Sequence, residues 1–315
     1  MRILVTGGAG FIGSHIVDAL VDRGHRVTVL DNLSSGQEAN LNRRAKFIKG
    51  DITSQKKLES VFKRVEPEVI FHLAAQINVR ASVENPILDA ECNIIGSLRL
   101  IDMAAKTGVK KFIFSSTGGA MFGDSAPYPV SETTPIAPQS PYGLAKAGVE
   151  EYLRFYHRTK GLPYLILRYS NVYGPRQNPH GEAGVVAIFT SAIMESSQSL
   201  INATIYGDGE QTRDYVYVGD VAKANLAALD TELTEGTFHI GTGKETSVNE
   251  IFRLINWQFG KGYEVSHGPA KEGDVTRSVL DVTQAERLLN WKPEVAVAEG
   301  ITATATWFKA RLREE

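Results

Sequence analysis

The chain has 315 residues, 43% of them hydrophobic and 22% charged, enough to bury a large core and to build two lobes. A formal charge of -2 provides no basic stripe for a polynucleotide, and no apolar run approaches the roughly 20 residues that span a bilayer, so neither nucleic acid nor membrane is expected as a partner. Its one cysteine, Cys92, cannot close an internal disulfide, and the N-terminus enters a strand with no charged leader or apolar segment, which together point to the cytoplasm.

In chain order, Arg2 to Thr6 reads as a strand, Phe11 to Asp22 as a helix and Arg26 to Asp31 as a strand, a βαβ unit. Strands are then predicted at Lys46 to Gly50, Glu68 to Leu73, Lys111 to Ser116 and Tyr164 to Tyr169, each preceded by a segment with helical spacing. Repeated βα units imply a parallel sheet covered on both faces, with ligands in the crevice at the carboxyl ends of its strands. Between the first strand and first helix lies Thr6-Gly7-Gly8-Ala9-Gly10-Phe11-Ile12-Gly13. Glycines there let the backbone approach a pyrophosphate, whose charge meets the free N–H groups and positive end of the helix. Asp31 ends the second strand some 18 residues after Gly13, placed to accept hydrogen bonds from a ribose diol. An acid there repels a 2′-phosphate, and Asn32 and Leu33 offer no arginine to hold one, so the expected cofactor is NAD. The expected fold is α/β, a Rossmann-type doubly wound parallel sheet with a smaller C-terminal α/β substrate lobe.

The glycine spacing, GxxGxxG, resembles that of the extended short-chain dehydrogenase/reductase family, which implies a Ser or Thr after the fifth strand and YxxxK on the next helix. Ser115, Ser116 and Thr117 close that strand, and Tyr142 and Lys146 open the helix behind Pro138 and Pro141. Four residues apart, the phenol and ammonium share a helix face. A positive charge at about 4 Å is worth roughly 4 kcal/mol at an effective dielectric of 20, about three pKa units, and is expected to lower the phenol and make it a usable base. The hydroxyl of Thr117 or Ser116 would hold the substrate alcohol in line; Thr117 is favoured.

After Asn171 the texture changes to Gly and Pro turns, a helix from about Val185 to Glu195 and shorter elements. The expected division is an NAD domain over 1–171 and a nucleotide-sugar lobe over 172–315, with parts of 214–245 returning to the first. Ser115 to Gly123, Leu167 to Gly174 and Gly207 to Val218 give the chain a resemblance to UDP-glucose 4-epimerases along nearly its whole length. The resemblance implies that Asp51 and Ile52 border the adenine, that Leu73, Ala74, Ala75 and Asn93 line the cofactor, and that Tyr169 to Asn171 border nicotinamide or substrate. Arg213, Lys271 and Asp274 would hold the uridine diphosphate, Lys271 standing where many relatives carry an arginine. Ser278 falls where a bulky tyrosine excludes N-acetyl sugars, so a serine predicts that both plain and N-acetyl UDP-hexoses are accepted. The implied reaction inverts C4 of UDP-glucose or UDP-galactose through a keto sugar, as part of galactose metabolism.

Related dehydratases carry an Asp-Glu pair where Gly118 and Gly119 stand, which disfavours dehydration; decarboxylation of a nucleotide sugar and a non-catalytic NAD-binding role also compete with epimerisation. His72 reads as a framework group, His157, His180 and His239 show no ligand spacing, no metal site is expected, and Cys92 reads as a small hydrophobe in a buried helix. Apolar faces at Ile94 to Ala105 and Val149 to Tyr156 correspond to helices that pair in relatives, implying a homodimer.

Overall fold

The computed structural model describes residues 1–123, 126–180, 184–260, 262–270 and 275–311. Its first part runs β1 (Arg2–Thr6), α1 (Phe11–Asp22), β2 (Arg26–Asp31), β3 (Lys46–Lys49), α2 (Gln55–Val65), β4 (Val69–His72), α3 (Val79–Glu84), α4 (Pro86–Ala90), a π-type turn Glu91–Gly96, α5 (Ser97–Lys106), β5 (Lys111–Thr117), α6 (Pro141–Lys160) and β6 (Tyr164–Tyr169). The second continues through β7 (Asn171–Tyr173), α7 (Val185–Glu195), β8 (Leu200–Tyr206), β9 (Thr212–Arg213), β10 (Tyr215–Tyr217), α8 (Val218–Asp230), β11 (Thr237–Ile240), β12 (Thr246–Ser247), α9 (Val248–Phe259), β13 (Glu264–Gly268), β14 (Arg277–Ser278), α10 (Thr283–Leu289) and α11 (Val297–Arg311).

Seven parallel strands form the main sheet in the order β11-β6-β5-β4-β1-β2-β3. Alternate residues of each strand feed opposite faces. Val5, Phe71, Ile113 and Leu167 pack with Ile16, Leu20 and Val221 of α1 and α8, while Leu4, Ile70, Phe114 and Ile166 pack with Leu58, Leu100 and Leu153 of α2, α5 and α6. Strands buried on both sides must be apolar throughout, which is why β1, β4 and β6 show no polar alternation. Strand order reverses at β1, so the crevice between β1 and β4 is where backbone groups are left free for a ligand.

A third cluster, with Tyr173, Phe189, Ile193, Ile205, Ile251 and Ile301, forms the core beneath α7, α9, α11 and the parallel pair β8 and β13. Arg213 of β9 sits between Thr246 of β12 and Ser278 of β14. The chain crosses between these regions repeatedly: β11 pairs with β6, and α8 packs on α1.

Two expectations need correction. The β2–β3 connection carries only a short 3-10 turn, Glu38–Asn40, and no helix. Gln37 N–H and Asn40 Nδ2 both donate to the Ala9 carbonyl, at 3.0 and 3.1 Å, so this segment braces the glycine loop instead of covering the sheet. Cys92 is only half-buried, because it falls in the π-type turn and not on the inner face of a regular helix.

Candidate active site

The glycine loop is shaped by what it excludes. Gly7 has φ +72°, and a Cβ there would stand 2.6 Å from the Ala74 nitrogen; on Gly13 it would stand 2.2 Å from the Gly7 carbonyl oxygen. Gly10 precedes α1 with no side-chain cap, and the first intrahelical bond runs from Ser14 N–H to the Gly10 carbonyl. The N–H groups of Phe11, Ile12 and Gly13 thus precede the ladder at the positive end of the helix, the arrangement a pyrophosphate satisfies. Asp31, 7% exposed, accepts from Ala9 N–H at 3.0 Å and Leu33 N–H at 2.8 Å. Each oxygen retains a lone pair for a diol. Asn32 donates to Asp51 at 2.8 Å. Burial works against the Asp51 charge, yet hydrogen bonds from Thr53 and Asn32 hold its carboxyl below the usual range. Ile52 is buried beside Gly96. This cradle and its donor set fit an NAD-type dinucleotide with an unmodified ribose.

Leu73, Ala74 and Ala75 follow β4 as a half-buried edge. His72 beneath them is fully committed: Nδ1 meets Thr6 Oγ1 at 2.7 Å and Nε2 meets Ser97 Oγ at 2.8 Å, and burial drives its pKa to about 3. Asn93 is 2% exposed and bonds Gln76 through both ends of its amide, which makes it a brace of the loop after β4.

At the end of β5, residue alternation separates the three hydroxyls. Ser115 Oγ meets Tyr169 Oη at 2.9 Å, and Tyr169 is tied to Asn225. Ser116 turns to the opposite face and donates to Glu150 Oε1 at 2.7 Å, so its hydroxyl is spent inside the core. Thr117 ends the strand half-exposed, its Oγ1 accepting from Ala120 N–H at 3.2 Å. Helix α6 starts here because Ser140 caps Gly143 N–H and Pro141 presets the first turn, and it stops at Gly161, φ +68°. This start puts Tyr142 and Lys146 at the crevice.

Lys146, 5% exposed, donates from Nζ to the Ser115 carbonyl at 2.9 Å and lies 4.8 Å from the Phe114 ring centroid. Burial lowers its pKa to about 8, against the raising effects of Asp89 and Glu150. Its ammonium is 5.8 Å from the Tyr142 ring centroid. Contrary to expectation, Tyr142 is shifted upward: burial penalises the phenolate and Asp89 adds to the penalty. The ammonium spends a proton on the Ser115 carbonyl, so proximity of lysine alone does not ionise this phenol.

Asn171, exposed on β7, pairs with Tyr215, two residues beyond Arg213. Arg213 is half-buried, donates only to the carbonyl of Thr212, and forms no ion pair among the described residues. Ser278, half-buried, is its cross-strand neighbour. Lys271 and Asp274 lie outside the described residues.

Four residues to which the sequence assigned no role complete the site. Ser82 Oγ accepts Tyr142 N–H at 3.2 Å. Glu150, fully buried, accepts from Ser116 and from Nε and Nη2 of Arg168, the latter two at 2.9 and 2.6 Å. Gln76 and Asp89 form a cluster with Asn93. A signal existed for two of them: Glu150 continues the four-residue ladder of Tyr142 and Lys146, and Asp89 stands four before Asn93 behind the Asn85 cap and Pro86.

Residues 3–241 match the family described as NAD dependent epimerase/dehydratase. A putative UDP-glucose 4-epimerase of Methanocaldococcus jannaschii is 49% identical over 98% of either chain. Among solved structures, UDP-glucose 4-epimerase of Thermotoga maritima with UDP-glucose is 50% identical, with 99% of this chain and 100% of that one covered and a TM-score of 0.95. The Thermus thermophilus UDP-glucose 4-epimerase complex with NAD is 43% identical over 98% and 99% of the two chains, with a TM-score of 0.91.

Proposed function

The chain belongs to the NAD dependent epimerase/dehydratase family, and from that premise we propose that it is a UDP-glucose 4-epimerase, inverting C4 of UDP-glucose and UDP-galactose. The observation that supports this reading is Lys146, beside the Tyr142 ring, donating to the Ser115 carbonyl at the carboxyl end of β5, the strand that ends at Thr117, in the same sheet as the glycine cradle and Asp31. Gly7, Gly10, Phe11, Ile12, Gly13, Asp31 and Asn32 would hold NAD, with Asp51, Ile52 and the edge Leu73 to Ala75 along it. NAD when bound supplies the acceptor that takes a hydride from a carbinol carbon and returns it.

The chain's own work is proton handling and orientation. Thr117 Oγ1 holds the sugar 4-hydroxyl, Tyr142 Oη removes its proton and returns it to the same oxygen once the keto sugar has turned its other face to the cofactor pocket, and Lys146 keeps a positive charge beside the phenol. Because the Tyr142 phenol stands above its ordinary value in the protein alone, its ionisation depends on charge brought in by ligands. Turning the keto sugar over requires loose contacts to the hexose and firm ones to the nucleotide, so binding energy resides in Arg213, with Lys271 as a further phosphate contact and Asp274 as a further group holding the uridine diphosphate in the proposal. Elimination is disfavoured because Gly118 and Gly119 carry no proton donor; a Cβ on Gly119 would meet nothing within 4 Å, so the glycine is not forced by space.

The proposal extends to N-acetyl hexoses through Ser278, to a homodimer, and to a cytoplasmic location consistent with a single free cysteine. Among the described residues no helix is long and apolar enough to cross a membrane. Incubation of the purified protein with UDP-galactose and separately with UDP-GalNAc, followed by NMR of the anomeric signals, tests the reading: both convert to their gluco epimers. No conversion of either sugar after NAD is supplied rejects the epimerase assignment. Ser278→Tyr lowers the GalNAc-to-galactose rate ratio at least tenfold, equivalent to roughly 1.4 kcal/mol, and an unchanged ratio removes Ser278 from specificity.

A further inference from the structure

Asp89 lies on α4 at 1% exposure. Its Oδ1 accepts from Gln76 Nε2 at 3.0 Å and Asn93 Nδ2 at 2.9 Å. Its Oδ2 is buried with no hydrogen-bond partner among the described residues. A framework role is complete at Oδ1, which already ties the loop after β4 to the π-type turn. The free oxygen serves none of that bracing, and a buried carboxyl half-satisfied in this way needs another reason for its charge.

The reason is on the neighbouring helix. Elements α3 and α4 pack on α6, and Ser82 of the same segment accepts the Tyr142 N–H. The titratable groups in the field of Asp89 are Tyr142 and Lys146 on α6 and Cys92 on the turn; Glu150 acts on Lys146 from one turn further along α6, and Lys146 acts on His72 from across β4. Burial raises the Asp89 carboxyl, while Gln76, Asn93 and Lys146 work to keep it ionised. We propose that Asp89 is the buried counter-charge of the Tyr142–Lys146 pair, a positioning residue whose carboxylate balances the ammonium across the α4–α6 contact. An ionised Asp89 keeps Lys146 protonated in a dry crevice and holds the phenol neutral until ligands add positive charge. The inference deepens the proposed function, and its kinetic consequence rests on that reading.

Asp89→Asn separates charge from geometry: the amide oxygen keeps the two accepted hydrogen bonds, and the NH₂ replaces the oxygen that has no partner. Ser82→Ala does the reverse, loosening the seat of Tyr142 on the same segment and leaving both hydrogen bonds of Asp89 and its charge in place. Titration of the Lys146 ε-carbon NMR signal in NAD-free protein, identified by its loss in Lys146→Met, reads the effect without turnover. The wild-type midpoint near pH 8 falls by about one unit in Asp89→Asn and stays in place in Ser82→Ala. An unmoved midpoint in Asp89→Asn, or an equal fall in Ser82→Ala, overturns the proposal; Asp89→Ser gives the same comparison if the amide variant does not fold. The pH profile of epimerisation is recorded alongside. A Lys146 midpoint that moves with no change in the profile leaves the counter-charge standing and rejects Tyr142 and Lys146 as the pair that sets the rate.

Discussion

Tyr142 and Lys146 divide one task, and their substitution should divide the kinetics accordingly. Tyr142→Phe removes the only group assigned to move the proton, so kcat falls by about 10³-fold while the KM for UDP-galactose changes little; a kcat within tenfold of wild type excludes the phenol as the base. Lys146 has its folded pKa lowered to about 8 from an ordinary value near 10.4. Lowering a base favours its neutral form in the folded state, so between roughly pH 8 and 10 the unfolded chain binds more protons and stability rises with pH, whereas activity, which needs the ammonium, falls. Opposite slopes of melting temperature and kcat/KM above pH 8 are the expected signature in the cofactor-free and loaded protein respectively. Beneath the site, Glu150→Ala leaves the Arg168 guanidinium, 3% exposed, without its carboxylate, and costs about 3–5 kcal/mol in urea unfolding. The placement of Tyr142 and Lys146 against the end of β5 was legible because it depends on spacing along one strand end and one helix. Gln76 and Ser82 act only through contacts between segments far apart in the chain, with Asn93 and Tyr142 respectively, and the separate fates of Ser115, Ser116 and Thr117 emerge only when the strand faces are occupied.

Among the elements, the βα alternation announced the main sheet because its strands are apolar on both faces and its helices are long enough to show a period. The β12-β9-β14 sheet escaped notice for the opposite reason: two-residue strands carry no period. Its stability depends on side chains. Glu245 accepts from Thr212 Oγ1 at 2.5 Å and from Arg277 at 2.9 and 2.6 Å, joining β9 to β14, and the Arg277 hydrogen bonds chiefly pull its carboxyl to about pKa 2. Arg213 and Ser278 stand on these same strands. Glu245→Gln should therefore raise the KM for UDP-sugars severalfold and leave kcat within twofold, since it unseats the nucleotide contacts and not the crevice. The depressed carboxyl makes the tie persist above the ordinary glutamate range and fail only as pH falls toward 2, so the wild-type KM stays flat from pH 5 to 8 as far as this tie is concerned. An equal loss in kcat would show that β9 and β14 also position the sugar.

At the scale of the molecule, the proposed homodimer bears on the site. Segment α3 is six residues long, too short to hold as a helix without tertiary support, and it carries Ser82, which seats Tyr142; α4, which carries Asp89, is the first turn of a helical run that continues through the π-type turn into α5. Their outer side is apolar: Val83 is 61% exposed and Ile87 72%, and beside them Leu144 and Phe155 of α6 stand 58% and 49% exposed. Exposed apolar side chains on neighbouring elements are what an interface would use, and a second copy of the chain covering them would brace α3 and α4 against α6 from outside. Phe155→Asp combined with Leu144→Asp places charge where the partner must sit while touching no core contact. With the proposed homodimer formed through this face, the expected result is a monomer by light scattering at concentrations where wild type self-associates, with an unchanged circular dichroism spectrum, faster hydrogen exchange over residues 79–90, and kcat lowered about tenfold. A monomer with full kcat would mean that the α3–α4 segment is rigid enough on its own; a variant that remains dimeric would place the interface elsewhere on the molecule.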